Sequence, residues 1–141
     1  MWFNSIMKWL IRSPLHGLVS KSMMVIGYAG RKSGKRYETP VNYVRDGDHL
    51  LVTSYRSRTW WRNMLGGASV TVWLMGEQIR ADAEAYSDQA DVTRYLQVYL
   101  DKVPQQARYF NVTLDEQGRP TPAEVAQAAR ERVIVRVRMA T

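Results

Sequence analysis

The sequence predicts a mainly β protein of the α+β type, an antiparallel barrel or half-barrel of about six strands with flanking helices. Two observations predict it. Short apolar or alternating segments joined by hairpin signals fill residues 22–86, and helical segments follow only the third and fifth of them. We expect the 141 residues to form one domain, with core strands in 22–86, helices in 87–132 and a closing strand at 133–138.

The N-terminal segment 1–20 is predicted to be helical, because residues 2–12 place Trp and Ile at helical spacing before Ser13-Pro14 interrupts them. Two interpretations stay open. The helix covers a barrel opening, or it lies at a membrane surface. Since no apolar run approaches the ~20 residues that cross a bilayer, we expect a cytoplasmic protein, with peripheral membrane contact through residues 2–12 as the alternative.

The strands of the barrel are separated by turn signals. Asp46-Gly47 predicts the hairpin turn between the second and third strands, and Gly76 the turn between the fourth and fifth. Pro40 within the second strand indicates an edge or a bulge, because proline lacks the backbone donor. The expected strands are 22–29, 36–45, 49–54, 70–74 and 78–85, followed by the closing strand.

Three helices are predicted from their end signals. Thr59 caps a short helix that Gly66 ends. Ser87-Asp88 caps a helix that runs to about Lys102. The segment 121–124 (TPAE) reads as a capping box with proline at the first helical position, opening a helix to about Arg132.

The net charge of +7 and the pI near 9.9 imply an anionic partner: nucleic acid, an acidic membrane surface or a phosphorylated cofactor. Nucleic acid is not expected, because the basic residues gather at loops and no recognition module is evident. The chain has no cysteine, and its two histidines, His16 and His49, are far apart. Neither a disulfide nor a metal site is therefore expected.

The stretch 30–36 (GRKSGKR) reads as a tight cationic loop between two strands, presenting backbone N–H groups and positive charge to a multiply anionic ligand such as a phosphate. The alternative is a solvated turn. A P-loop is excluded, because its glycine and hydroxyl positions are occupied by Ala29 and Arg36. If the second and third strands form a hairpin, the loops at 30–36 and 55–59 are neighbours, with Tyr55, Trp60 and Trp61 beside them.

Five segments together resemble the deazaflavin-dependent nitroreductase family, whose members are split β-barrels related to the FMN-binding pyridoxamine-phosphate oxidases. They are GRKSGK at 30–35, TPV at 39–41, RDGD at 45–48, WWRN at 60–63 and VTV at 70–72. The resemblance covers residues 23 to about 86, and the C-terminal third only by layout. It implies an FMN-binding split-barrel-like fold and an oxidoreductase that uses coenzyme F-420, an 8-hydroxy-5-deazaflavin with an anionic oligoglutamate tail.

In that family the cofactor moves a hydride to an electron-poor acceptor such as a quinone, a nitroaromatic or a tetrapyrrole. The resemblance implies that the cationic loop and Arg56 meet the tail, and that the other positions surround the ring. The implied cofactor-binding residues are Arg31, Lys32, Ser33, Tyr37, Thr39, Pro40, Val41, Asn42, Thr53, Ser54, Tyr55, Arg56, Trp60, Trp61, Arg62 and Asn63.

On the acceptor side, Tyr109 and Tyr55 are the candidate proton donors. Tyr109 and Phe110 follow the Pro104 break, so they either form a lid over the groove or fill the core beneath the 115–120 loop. FMN or FAD in the same groove is the first alternative cofactor. A non-catalytic flavin, haem or lipid binder is the rival class, and a homodimer stays open.

Overall fold

The computed structural model describes residues 23–139, and within them seven antiparallel strands form one curled half-barrel sheet in the order β2-β1-β5-β6-β7-β4-β3. The predicted fold class is confirmed. The predicted N-terminal helix and its membrane alternative lie outside the described residues. The strands are β1 (Met23–Ala29), β2 (Arg36–Asn42), β3 (Val44–Asp46), β4 (His49–Tyr55), β5 (Ala68–Leu74), β6 (Glu77–Tyr86) and β7 (Arg132–Met139).

Helices flank the sheet. Residues 23–139 form two α-helices, α1 (Gln89–Lys102) and α2 (Pro122–Ala129), and two 3-10 helices, which span Trp60–Met64 and Pro104–Phe110. The first 3-10 helix replaces the short helix predicted after Thr59, whose side chain makes no capping hydrogen bond. No helix in the described part of the chain is long and apolar enough to cross a membrane.

The predicted second strand, 36–45, is two strands divided at Tyr43. Its first part, β2, pairs with β1, and its second part, β3, pairs with β4. The predicted hairpin is therefore formed by β3 and β4 alone, and β2 and β3 lie at opposite edges of the sheet. Pro40 lies in the edge strand β2, opposite Val25, where a missing backbone donor is tolerated.

The β3–β4 turn is centred one residue later than predicted. Asp46 pairs with His49, so Gly47 and Asp48 are the central residues, and of the two only Gly47 has a positive φ, +64°. The β5–β6 turn instead has positive φ at both central residues, Met75 (52°) and Gly76 (81°). That conformation matches the right-handed twist of the strands it joins.

Apolar side chains form two cores, one on each face of the sheet. Along β7, Val133, Val135 and Val137 belong to the core inside the half-barrel, whereas Ile134 belongs to the core beneath the helices. Because successive side chains of a strand point to opposite faces, one continuous apolar run serves both cores. In β4, Leu51 likewise faces the helices, so this pair of strands lies between the two cores.

The helix caps differ from the prediction at α2. Asp88 caps α1, since its carboxylate accepts from the Asp91 N–H at 3.1 Å. The predicted capping box at Thr121 is wrong. The Thr121 hydroxyl donates to the Thr113 carbonyl at 2.8 Å, and the Glu124 carboxylate accepts from the Thr113 N–H and hydroxyl, both at 2.7 Å. Both side chains therefore fasten the 113–121 loop instead of the helix end.

Candidate cofactor and acceptor cleft

A cleft of about 660 Å³ opens between the edge strand β2, the end of β4 and the second 3-10 helix. Its volume lies in the range of sites that hold small molecules and cofactors. The residues that line it are Thr39, Pro40, Val41, Asn42, Thr53, Ser54, Tyr55, Arg58, Trp60, Tyr99, Gln105, Gln106, Arg108, Tyr109, Phe110 and Arg132.

Nine of the residues predicted for the site lie together in this lining. They come from segments separated along the chain: β2, the end of β4, the start of the first 3-10 helix and the second 3-10 helix. Their common position is a geometric finding. The nine are Thr39, Pro40, Val41, Asn42, Thr53, Ser54, Tyr55, Trp60 and Tyr109.

A hydrogen bond between Trp60 and Ser54 holds the side of the cleft near β4. The Trp60 indole N–H donates to Ser54 Oγ at 3.0 Å, and that hydroxyl donates in turn to the Tyr55 carbonyl at 3.1 Å. Next to Trp60, the Tyr28 hydroxyl lies 3.1 Å from Thr39 Oγ1. Since these polar groups have partners within the protein, the wall between β2 and β4 keeps its shape.

The cationic loop, residues 30–35, is fastened to the first 3-10 helix. The Arg31 N–H donates to Asn63 Oδ1 and the Arg31 guanidinium donates to the Arg62 carbonyl, both at 2.9 Å. Lys32 and Ser33 are exposed. The loop is predicted to neighbour residues 55–59, but its hydrogen bonds go instead to residues 62–63 of the first 3-10 helix. The hairpin on which that prediction depended does not include β2.

Some predicted positions lie outside the cleft lining. The Arg56 guanidinium donates to the carbonyls of Ser87, Arg130 and Arg132 at 2.7, 3.3 and 3.2 Å, so it ties the end of β4 to the chain around β7. Trp61 is only 2% exposed and belongs to the inner core. Tyr37 and Arg62 also contact aromatic rings of the protein. Tyr37 stacks on Tyr28, with ring centroids 5.8 Å apart, and the Arg62 guanidinium lies 4.8 Å from the centroid of the Trp61 ring.

Sequence reasoning missed several lining residues, notably Arg108 and Arg132. Together with Arg58 they give the lining formed by residues 23–139 three guanidinium groups and no acidic side chain. Arg108 was detectable, since it adjoins the aromatic segment after Pro104. Arg132 carried no signal, because it reads as the residue between a helix and a closing strand. The cleft is therefore suited to an anionic or electron-rich ligand.

Three tyrosines line the cleft, Tyr55, Tyr99 and Tyr109, and the last two lie in different environments. Tyr109 is 64% exposed, and its oxygen accepts from the Arg108 guanidinium at 2.9 Å. Tyr99 is buried, and burial raises the pKa of its hydroxyl, an effect that the charge of Arg132 partly offsets. Tyr99 therefore stays protonated at neutral pH. Among residues 23–139, no group of three or more His, Cys, Asp or Glu side chains is placed to hold a metal ion.

An antiparallel half-barrel of seven strands with flanking helices is a split-barrel-like α+β fold. The family model described as F-420H(2)-dependent quinone reductase matches residues 14–125. This chain belongs to that family. It is an F-420-dependent oxidoreductase, with coenzyme F-420 as its cofactor. No curated protein sequence matches the chain.

Solved structures with low sequence identity share the fold. A chain solved as a domain-swapped dimer is 13% identical, with a TM-score of 0.57 and 96% of each chain covered. A Clostridium acetobutylicum protein of the pyridoxinephosphate oxidase family, related to a B. subtilis general stress protein, is 13% identical, with a TM-score of 0.54 and coverage of 94% of this chain and 84% of that chain. The FAD and heme binding protein from Mycobacterium smegmatis is 14% identical, with a TM-score of 0.53 and coverage of 92% and 67%. These similarities show the split-barrel fold alone.

Proposed function

We propose that the protein reduces a quinone with F-420H(2), binding the deazaflavin ring in the cleft and the anionic tail on the cationic loop. One observation carries the proposal: a cleft lined by three arginines and no acidic side chain lies beside the helix to which the cationic loop is fastened. The donors in these two places are those that a ring with carbonyl oxygens and a tail with phosphate and carboxylates require.

The ring site is formed by β2 and the Trp60–Ser54 pair. Because β2 is an edge strand in the described part of the chain, its backbone groups that do not face β1 have no second strand there as partner. In this proposal residues 39–42 present those groups to the polar edge of the ring, and Trp60 contributes a flat apolar surface beside it. Thr53 and Ser54 close the site from the side of β4.

The tail site is formed by exposed cations on the loop. Arg31 is oriented by its bond to the Arg62 carbonyl and still has other N–H groups for a phosphate or carboxylate. Lys32 and Ser33 stand free of the sheet and add an ammonium group and a hydroxyl. Arg56 is left out of this site, because its guanidinium is engaged by backbone carbonyls.

The bound cofactor supplies the hydride, and the protein orients the acceptor and provides a proton. Tyr109 is well placed for the proton step: Arg108 donates to its oxygen, which leaves the phenolic hydrogen free to donate to an acceptor oxygen. Tyr55 is 49% exposed in the same cleft and is the second candidate. The second 3-10 helix, which carries Tyr109, forms the acceptor side of the cleft in this proposal.

Two measurements test this function. Fluorescence titrations of the purified protein with F-420 and with FMN compare the cofactors, and we expect F-420 to bind more tightly. Steady-state oxidation of F-420H(2) is then followed with menadione, a nitroaromatic and biliverdin as acceptors, and we expect menadione to give the highest kcat/KM. Tighter binding of FMN, or no turnover with any quinone, contradicts the proposal.

Two statements about assembly accompany the proposal. The fold it shares with a chain solved as a domain-swapped dimer supports a homodimer, which size-exclusion chromatography with light scattering tests.

Peripheral membrane contact through residues 2–12 stays a prediction. Liposome flotation of the full chain, compared with a variant lacking residues 1–12, tests it.

A further inference from the structure

Arg132, the first residue of β7, lies between two aromatic rings in the wall of the cleft. Its Cζ is 3.9 Å from the centroid of the Tyr55 ring and 4.3 Å from that of Phe110. Tyr55 is its cross-strand partner in the β4–β7 ladder, so the position of the guanidinium is set by the sheet register. Contacts of this kind use the flat faces of the guanidinium and leave the N–H groups around its edge available.

Those N–H groups have no partner within the described part of the chain. Among residues 23–139 no carboxylate pairs with Arg132, and no protein oxygen accepts a hydrogen bond from its guanidinium. The other two arginines of the cleft differ from it. Arg108 donates to Tyr109, and Arg58 is an exposed loop residue. Arg132 is therefore a half-buried, permanently charged and oriented donor group that faces a ligand cleft.

We propose that Arg132 is the anion site for the acceptor: it binds the acceptor oxygen that becomes negatively charged during reduction. This inference rests on the proposed quinone reduction. A quinone that receives a hydride becomes a hydroquinone monoanion, and one further proton completes the hydroquinone. When bound, the reduced cofactor would supply the hydride and release one proton, and that proton replaces the one that Tyr109 gives to the acceptor oxygen, so hydrogens and electrons balance. A fixed cation beside the oxygen stabilises the monoanion more than the neutral quinone, which lowers the barrier.

The same geometry makes the cleft select for acidic acceptors. An acceptor that already carries an ionised hydroxyl or a carboxylate presents to Arg132 the charge that a neutral quinone acquires only on reduction. A charge-assisted bond of this kind is worth roughly 10- to 100-fold in affinity. We therefore expect ionised hydroxyquinones to bind more tightly than neutral quinones of the same ring size.

The test uses the protein loaded with oxidised F-420 and two ring-matched ligands in isothermal titration calorimetry. The ligands are 2-hydroxy-1,4-naphthoquinone, an anion at neutral pH, and neutral 2-methyl-1,4-naphthoquinone. Arg132→Met should weaken binding of the anion about tenfold or more and that of the neutral quinone less than about threefold. Arg94→Met is the matched control. Arg94 also lies over a tyrosine ring, 4.7 Å from that of Tyr95, but it is on α1 outside the cleft lining.

The inference is overturned if Arg132→Met weakens the binding of both ligands equally or leaves the binding of the anion unchanged. A residue that only supports its neighbouring rings would not distinguish a charged ligand from a neutral one. Arg132→Gln and Arg132→Lys extend the test if the methionine variant does not fold. The lysine variant should keep part of the preference for the anion, and the glutamine variant should lose it. A wild-type protein that binds both ligands equally overturns the inference without any variant.

Turnover of menadione separates this inference from the proposed function. If the wild type turns over menadione and Arg132→Met retains its kcat, the inference is wrong and the function stands. If the wild type does not turn over any quinone but binds the anion through Arg132, the proposed function is wrong, and Arg132 is an anion-binding residue without the proposed part in quinone reduction. If both hold, kcat should fall more than KM changes in Arg132→Met.

Discussion

Asn63 Oδ1 accepts a hydrogen bond from the backbone N–H of Arg31 at 2.9 Å, joining the cationic loop to the first 3-10 helix. The same amide uses its nitrogen to donate to the Trp60 carbonyl at 2.9 Å. One side chain thus links the proposed tail site to the residue that forms the wall of the proposed ring site. Binding at the two sites should therefore respond together when this amide is removed.

Asn63→Ala removes both hydrogen bonds, so the loop loses its anchor. We expect the free energy of unfolding to fall by about 1–2 kcal/mol, because two partly exposed hydrogen bonds are lost. F-420 affinity should fall as well. Urea denaturation and fluorescence titration measure the two effects. Asn63→Asp is the informative control, since it keeps the acceptor for Arg31 but loses the donor for Trp60. Unchanged F-420 affinity in Asn63→Ala contradicts the link.

Lys32→Ala should weaken F-420 binding without lowering stability, because Lys32 is exposed on the loop. Loss of one charge-assisted contact to the tail costs about 1.5–3 kcal/mol of binding free energy. Arg31→Ala should weaken binding similarly and also lower the melting temperature, since it removes the bond to the Arg62 carbonyl. Arg119→Ala, which removes an equal charge from the distant 115–119 loop, is the control for net charge. Equal F-420 affinity in the wild type and the three variants would contradict the proposed tail site.

Ser54→Ala should destabilise the cleft wall, because it leaves the Trp60 indole N–H without its acceptor. An unsatisfied, partly buried donor costs about 1–3 kcal/mol. Trp60→Phe removes the donor, so the double variant should be less destabilised than the sum of the two single changes. A double-mutant cycle by urea denaturation measures this coupling. A coupling energy near zero means that the hydrogen bond contributes nothing to stability.

Hairpin signals and hydrophobic alternation predicted the strands closely, because both act within a few residues of the chain. The fourth strand was expected at 70–74 and spans Ala68–Leu74, and the closing strand was expected at 133–138 and spans Arg132–Met139. The division of the second strand at Tyr43 was not predictable in this way. It depends on β2 and β3 pairing with different strands, at opposite edges of the sheet.

The site was predictable in part. Residues 39–42 and 53–55 are implied by the family resemblance, and the structure gathers them in one cleft, although the pattern did not place β2 at the edge of the sheet. Trp60 and Trp61 are adjacent residues of the same type. Trp60 lines the cleft, whereas Trp61 is buried in the core inside the half-barrel. Successive residues on a helix face different directions, and the pattern alone does not say which of them meets the cleft.

Tyr109 and Phe110 should respond differently to substitution, because the structure separates two neighbours that the sequence treats alike. Tyr109 is 64% exposed in the cleft, whereas Phe110 is 8% exposed and packs on Tyr99 and Arg132. Tyr109→Phe should lower kcat/KM for the acceptor while the melting temperature and the F-420 dissociation constant hold. Phe110→Ala should cost about 3–5 kcal/mol of stability. Unchanged kinetics in Tyr109→Phe would show that the Tyr109 hydroxyl is not the proton donor.

Glu124→Gln should be less stable than the wild type at neutral pH, and this difference in stability should disappear in acid. The N–H and hydroxyl of Thr113 both donate to the Glu124 carboxylate and hold the pKa of that carboxyl below its ordinary value of 4.5. A lowered pKa in the folded state stabilises the protein above the ordinary value, and this contribution is lost as the pH falls through the folded pKa.

The melting temperature of the wild type should therefore exceed that of Glu124→Gln by a constant amount between about pH 5.5 and 7, and the difference should shrink once the pH falls below the ordinary value of 4.5. Glu116→Gln on the adjoining loop is the matched control. It removes the same charge from an exposed residue, and we expect its melting temperature at neutral pH to match that of the wild type. A difference between wild type and Glu124→Gln that persists unchanged in acid means that the side chain acts through its shape and neutral hydrogen bonds, and that its charge contributes nothing to fastening the 113–121 loop.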